Sequence, residues 1–257
     1  MKSAIKFLFA ACAGLAASAF AGEGSVAVYV VDESPEFAEM GGQCTLYSKD
    51  AKPGPNKHLL AIAKGEPGTT VLLVGFDRES DLLFSDFAPV MAAQNEDSEP
   101  MRYPSPDAGK KFSFEEEGSP VDLYFVVFDS NDPQLGRFNE FLGWMKDSFT
   151  SGDVEEANLH GLAMKNRISK MLRAKISTEY ISEFGGDDSR KAPVSKAAVT
   201  RGASALSLER KPPPPTAGVR RGLKSLDKEW KEDSRKISSE AGNPGILLFP
   251  ISQNKKD

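Results

Sequence analysis

The chain has 257 residues, a formal net charge of −5, 27% charged residues and 40% hydrophobic residues. This composition excludes an acidic disordered tail and a multi-span membrane bundle. Two Cys and two His exclude a Cys- or His-rich zinc framework and a multi-disulfide scaffold.

In chain order, the first feature is an export signal. Lys2 and Lys6 precede an uncharged run over 7–22, which ends in Ala19-Phe20-Ala21 and Gly22. The small-x-small pattern suits a signal peptidase and places cleavage after Ala21. The run has 16 residues, short of the roughly 20 that span a bilayer. A lipobox reading of Phe9-Ala10-Ala11-Cys12 is set aside, because Phe stands in place of Leu and apolar residues continue past Cys12. The mature chain then keeps Cys44 as its one cysteine. A small buried hydrophobe in a strand is the expectation there, over a free thiol that pairs with another chain.

Residues 22–132 carry 8 Lys and Arg against 21 Asp and Glu, a net of −13, and read as an acidic β-rich domain. Strands are predicted over 25–31 (SVAVYVV), 43–48, 58–64, 69–76 (TTVLLVGF), 82–84, 111–114 and 121–128 (VDLYFVVF), the last of these central. Glu66-Pro67-Gly68 is a strong turn. Residues 92–109, polar and with three Pro, read as an exposed loop. Residues 133–257 carry 22 Lys and Arg against 16 Asp and Glu, a net of +6. Leu135, Phe138, Leu142, Met145 and Phe149 recur at helical spacing, as do Val154, Ala157, Gly161, Met164, Ile168 and Met171. Ser151-Gly152 breaks the pattern and Asp153 can cap the second helix. Lys165, Arg167, Lys170 and Arg173 suit its C-terminal end. A helical hairpin over 133–177, laid on the sheet, follows from this pattern.

Residues 178–245 read as a basic, Pro-containing flexible arm, disordered in the fold-class reading. Its four prolines at 212–215 act as a stiff spacer, and 189–236 carries 13 Lys and Arg against 5 Asp and Glu. Such an arm is a solvated linker, or it contacts an anionic surface or the acidic part of the same chain. Residues 246–252, after Asn243-Pro244-Gly245, read as a terminal strand returning to the sheet. The expected fold class is α+β: an antiparallel β-sheet or sandwich with a helical hairpin.

No G-x-S-x-G, H-E-x-x-H, P-loop or G-x-G-x-x-G pattern is present. His58 and His160 are read as structural. Ser225-Leu226-Asp227-Lys228 fits S-x-x-K but lacks the companion motifs of penicillin-recognising enzymes. Glu115, Glu116 and Glu117, and Asp187 and Asp188, lack a calcium-loop pattern and read as solvated turns. No catalytic, cofactor-binding or metal residue is assigned, and no cofactor is expected.

One stretch carries a resemblance. A strand (TTVLLVGFD) leads through a charged turn into Asp81-Leu82-Leu83-Phe84-Ser85. A loop with Tyr103-Pro104 follows, then Lys110-Lys111-Phe112-Ser113-Phe114 and Gly118-Ser119-Pro120 before 121–128. This resembles the bacterial family called domain of unknown function 4384. Ser85 stands where that family has Pro, and Gly118-Ser119-Pro120 differs from its usual turn. The resemblance implies a β-rich accessory or binding domain, at times found with peptidase-like or kinase-like partners, and carries no catalytic residues.

The expected function is an exported, non-enzymatic binding or envelope-accessory protein acting through protein or anionic-surface contacts. It is extracytoplasmic, periplasmic or secreted, has no transmembrane segment after cleavage, and is not a nucleic-acid binder. The alternatives are an exported hydrolase with a dispersed site at His58, His160 or Cys44, and a small-ligand or polysaccharide carrier. The carrier predicts a concave site lined by Tyr29, Phe76, Tyr124 or Phe128.

Overall fold

The computed structural model describes residues 22–48, 57–83, 88–105, 112–113, 120–184, 220–224, 226–239 and 242–251. The expected signal, the proline run at 212–215 and the two carboxylate clusters lie outside them. The elements are β1 (Glu23–Asp32), a 3-10 helix (Pro35–Met40), β2 (Gln43–Leu46), β3 (Lys57–Gly65), β4 (Thr69–Asp77), β5 (Val90–Ala93), β6 (Met101–Tyr103) and β7 (Phe112–Ser113). After them come β8 (Val121–Asp129), α1 (Leu135–Ser151), α2 (Val154–Phe184), β9 (Arg220–Gly222), α3 (Leu226–Asp233), β10 (Arg235–Ser238) and β11 (Gly245–Ile251).

The strands form two antiparallel sheets. Sheet one runs β6-β3-β1-β2-β9, with β10 also on β1 and β7 also on β3. Residues 23–26 of β1 pair with β10 and 29–32 with β2. Sheet two runs β11-β8-β4-β5, so β8 is central as expected. The Glu66-Pro67-Gly68 turn carries the chain from one sheet to the other, and Gly68 supplies a φ of +85°.

Side chains alternate across a strand, so each long strand serves two cores. Val26, Val28 and Val30 of β1 meet Val71, Leu73, Phe125 and Val127 of sheet two in the core between the sheets. A Cβ on Gly24 would lie 2.6 Å from the Val127 side chain, which shows how closely the sheets approach there. The outward face of sheet two packs Leu72, Val74, Phe76, Tyr124, Val126 and Phe128 under α1 and α2. The outward face of sheet one packs Ala27, Tyr29, Val31, Cys44, Leu60 and Ile62 under Leu226 and Trp230 of α3. The order of layers is α3, sheet one, sheet two, helical hairpin. Strands buried on both faces explain the unbroken apolar runs at 69–76 and 121–128.

The α+β class, the antiparallel sheets and the hairpin agree with expectation. Asp153 caps α2, accepting the Glu156 N–H at 2.9 Å. Five expectations need correction. The polar stretch 92–109 is not simply an exposed loop. It supplies the end of β5 and all of β6, and Met101 and Tyr103 alternate into the inter-sheet core, where the Gly75 N–H donates to the Tyr103 hydroxyl at 3.0 Å. Leu82 and Leu83 do not form a strand: Leu83 makes an isolated bridge to Phe76 and Leu82 is exposed. The second helix runs to Phe184, past 177, so Lys165 to Arg173 lie at its middle and not at its dipole end. Val154, placed in the buried stripe, is exposed. Within the expected arm over 178–245 lie β9, α3 and β10, held by Leu226 and Trp230 one helical turn apart.

Candidate interaction surface

The hairpin presents an apolar outer surface. Helix α1 buries Phe138, Phe141, Met145 and Ser148, and Trp144 sits at the edge of that stripe with 39% of its surface exposed. The Arg137 guanidinium lies 4.9 Å from the Phe141 ring centroid and 5.2 Å from that of Trp144. The His160 ring is 5.1 Å from Trp144, and His160 Nε2 lies 3.8 Å from Glu156 Oε1. Cation–π contacts at exposed sites contribute about 0.5–1 kcal/mol each, so this stack holds Trp144 in place at the surface. Leu159 is 62% exposed and Val154 42%. Leu82, also exposed, adjoins α2 through Leu83, whose N–H donates to Asn158 Oδ1 at 3.2 Å.

A polar latch lies on the other flank of α2. Asp81 adopts φ +62°, uncommon outside glycine, and its carboxylate takes the ammonium of the buried Lys165. That ammonium also lies 5.4 Å from the Phe76 ring centroid. Nearby, burial first and the Asp122 carboxylate second push the Tyr124 phenol up to about 12, against a hydrogen bond with Ser169. A phenol held neutral this firmly does not act as a base at ordinary pH. Arg78 closes the edge, its Nε donating to Asp122 at 2.8 Å. The cluster ties the turn after β4 to α2.

An ionic clamp fixes α3 over sheet one. Arg221 Nε donates to Asp233 Oδ2 at 2.7 Å and Nη2 donates to Glu232 at 3.0 Å, while Nη1 contacts Glu229. The Tyr29 hydroxyl donates to Asp233 Oδ2 at 2.9 Å. The bond to Asp233, ahead of the other two, keeps the guanidinium more firmly protonated. Burial and then that same carboxylate raise the Tyr29 phenol. Other cations of the expected arm also contact this chain at its surface. Lys236 pairs with Glu23 at 3.7 Å, and Lys224 donates to the Glu39 carbonyl at 2.8 Å. Of these, the Lys236–Glu23 pair joins the basic part to the acidic part, whereas the carboxylates on Arg221 belong to the basic part itself.

The residues singled out from sequence are dispersed. Cys44 is fully buried and burial pushes its thiol up to about 12, which matches the core reading and opposes a nucleophile. His58 lies in β3 of sheet one and His160 on the hairpin beyond sheet two, so they belong to different layers. Leu226 of the S-x-x-K match is buried core and Ser225 lies outside the described residues. Tyr29, Phe76, Tyr124 and Phe128 are packed beneath helices in the two outer cores. A cleft of about 240 Å³ opens between α2 and the approach to β11, lined by Gln134, Arg167, Lys170, Met171, Asn243 and Pro244. Its Arg167 guanidinium already donates to Gln134 Oε1. Among the described residues, no group of three His, Cys, Asp or Glu could hold a metal, and no helix is long and apolar enough to cross a membrane.

Sequence reasoning missed the exposed surface because Val154 falls on the second helical stripe, where burial is expected, and Trp144 lies beside the first. Leu159 carried the available signal, being a Leu outside both stripes. No family model, curated protein or solved structure matches this chain.

Proposed function

We propose that the chain is an exported, non-enzymatic binding or envelope-accessory protein that works through protein contacts on the outside of its helical hairpin. One observation carries this reading. Of five exposed large apolar side chains among the described residues, four (Leu82, Trp144, Val154 and Leu159) lie on or beside the hairpin. A surface Trp held by stacked Arg and His side chains has the composition of a binding hot spot. The resemblance to the domain of unknown function 4384 family points the same way, towards an accessory or binding domain. Export rests on the Lys2, Lys6 and Ala19-Phe20-Ala21 pattern.

A photo-crosslinking residue at position 159, in cells producing the full chain, should yield a discrete protein adduct. The same probe at Lys228, exposed on α3, should yield none. Absence of an adduct at 159 would remove the hairpin reading. Turnover of a substrate by the purified mature protein, abolished by a point mutation, would remove the non-enzymatic one. Intact-mass measurement of the exported product should give an N-terminus at Gly22, and full-length protein retained in the cytoplasm would refute export.

A further inference from the structure

The outward stripe of α2 has an ordered charge pattern. Glu156, Leu159, Asn166, Lys170 and Arg173, exposed, and the half-buried Ala163 follow one another at spacings of three and four, away from the buried Ala157, Gly161, Met164 and Ile168, although Ala163 also touches the core beneath. The stripe begins acidic, with Glu155 and Glu156 in the first turn of the helix. It is apolar and small in the middle, at Leu159 and Ala163, and basic further on, at Lys170 and Arg173. Leu159, 62% exposed, stands between the acidic and basic ends of this stripe.

We infer that this face binds a second copy of the chain, α2 against α2, antiparallel about a two-fold axis near Ala163. The pattern is self-complementary in that orientation alone. Positions 156 and 170 lie equally far on either side of 163, so Glu156 of each copy faces Lys170 of the other, twice per interface. A parallel arrangement would set acid against acid and base against base. Ala163 near the axis is small and half-buried against the core of its own copy, so it leaves room for the helix backbones to approach and for Leu159 of the other copy to pack beside it. Trp144 lies along the flank of this contact on α1, so two hairpins meet as a four-helix layer between two β-sandwiches. The inference rests on the proposed use of the hairpin surface and names its occupant.

Sedimentation of the purified mature protein at tens of micromolar should give twice the monomer mass. Leu159→Arg, at an exposed position, should leave the circular dichroism unchanged and produce a monomer. Glu156→Lys alone and Lys170→Glu alone should each weaken association by about tenfold, since each substitution acts twice per interface. The double substitution should return the affinity to within about threefold of the original, because the pair is re-formed with its signs exchanged. A monomer throughout the concentration range, a dimer indifferent to Leu159→Arg, or a double swap without rescue would each overturn the inference. A monomer whose position 159 still crosslinks to a different protein in cells would refute the second copy and leave the proposed function standing. A monomer without any adduct would refute both.

Discussion

The two helical covers of the sandwich are attached by opposite means. The hairpin lies on sheet two through apolar contact: Phe138 packs against Phe128 at a ring separation of 5.0 Å, with Phe141, Met145, Met164 and Ile168 around them. The α3 cover touches sheet one through few apolar side chains, chiefly Leu226 and Trp230, and relies on the Arg221 clamp for the rest. Apolar contact is non-directional and distributed over many atoms, so it tolerates the loss of any one of them. A clamp has a single geometry and concentrates its contribution in one guanidinium. The hairpin side is therefore expected to yield gradually and the α3 side abruptly.

Arg221→Met tests that difference most severely. It leaves Asp233, almost fully buried, with the Tyr29 hydroxyl but no cation, and should cost about 3–5 kcal/mol in urea unfolding. Hydrogen exchange should rise first over α3, β9 and β10 while α1 stays protected. A loss spread evenly over the molecule would break the comparison. Adding Asp233→Leu to Arg221→Met should recover much of the loss, since an apolar replacement of both partners removes the unpaired buried charge.

Gly161→Ala probes the hairpin side. The new Cβ would lie 2.6 Å from Leu83 Cγ, so Leu83 must shift. Overpacking outweighs the gain in helix propensity, and a net loss of about 1–2 kcal/mol is expected in thermal or urea unfolding. Stabilisation by this substitution would show that the interface between α2 and the turn after β4 is looser than described.

Asp132, ahead of α1, should have the smallest effect. Its Oδ1 accepts the Gln134 N–H at 2.7 Å, whereas its Oδ2 is buried without a partner. Burial, opposed by that backbone bond and aided by Asp129, raises its pKa. The folded state then holds the proton more tightly than the unfolded chain. This contribution is complete at pH below the ordinary carboxylate value near 4 and is lost as pH rises through the raised value. Asp132→Asn keeps an acceptor for Gln134 and should add up to about 1 kcal/mol at neutral pH, while flattening the stability slope above about pH 4. A steeper slope, or a loss at neutral pH, would mean that the charge itself stabilises the start of α1.

The contrast between the covers also governs how much of the fold the sequence disclosed. The strands at 69–76 and 121–128 and the stripe from Leu135 to Phe149 are legible because apolar periodicity repeats over several turns or pleats. Helix α3 is not, because its core contribution is confined to Leu226 and Trp230 in a stretch dominated by charge, and Arg221 meets Asp233 only after the chain has folded. Met101 and Tyr103 alternate in the manner of a strand, but over too few residues to stand out from the prolines around them. The candidate surface was partly visible: Leu159 is out of phase with the buried stripe, whereas Val154 lies in phase with it and is exposed all the same. Periodicity reports which way a side chain points and does not report whether another element lies there to meet it.

The strand order has a consequence for the newly made chain. β1, the first strand, is paired along 23–26 with β10, and its outer face is sealed by Trp230, while β8 gains its second neighbour from β11 at 245–251. Neither sheet can be completed until nearly all of the polypeptide is available, because the contacts that close both lie more than 100 residues downstream. Closure over such separations is slow. Until the last strands are made, β1 lacks its β10 neighbour and its Trp230 cover, and one edge of β8 stays open. That open edge is a template for pairing with neighbouring chains until β11 closes it.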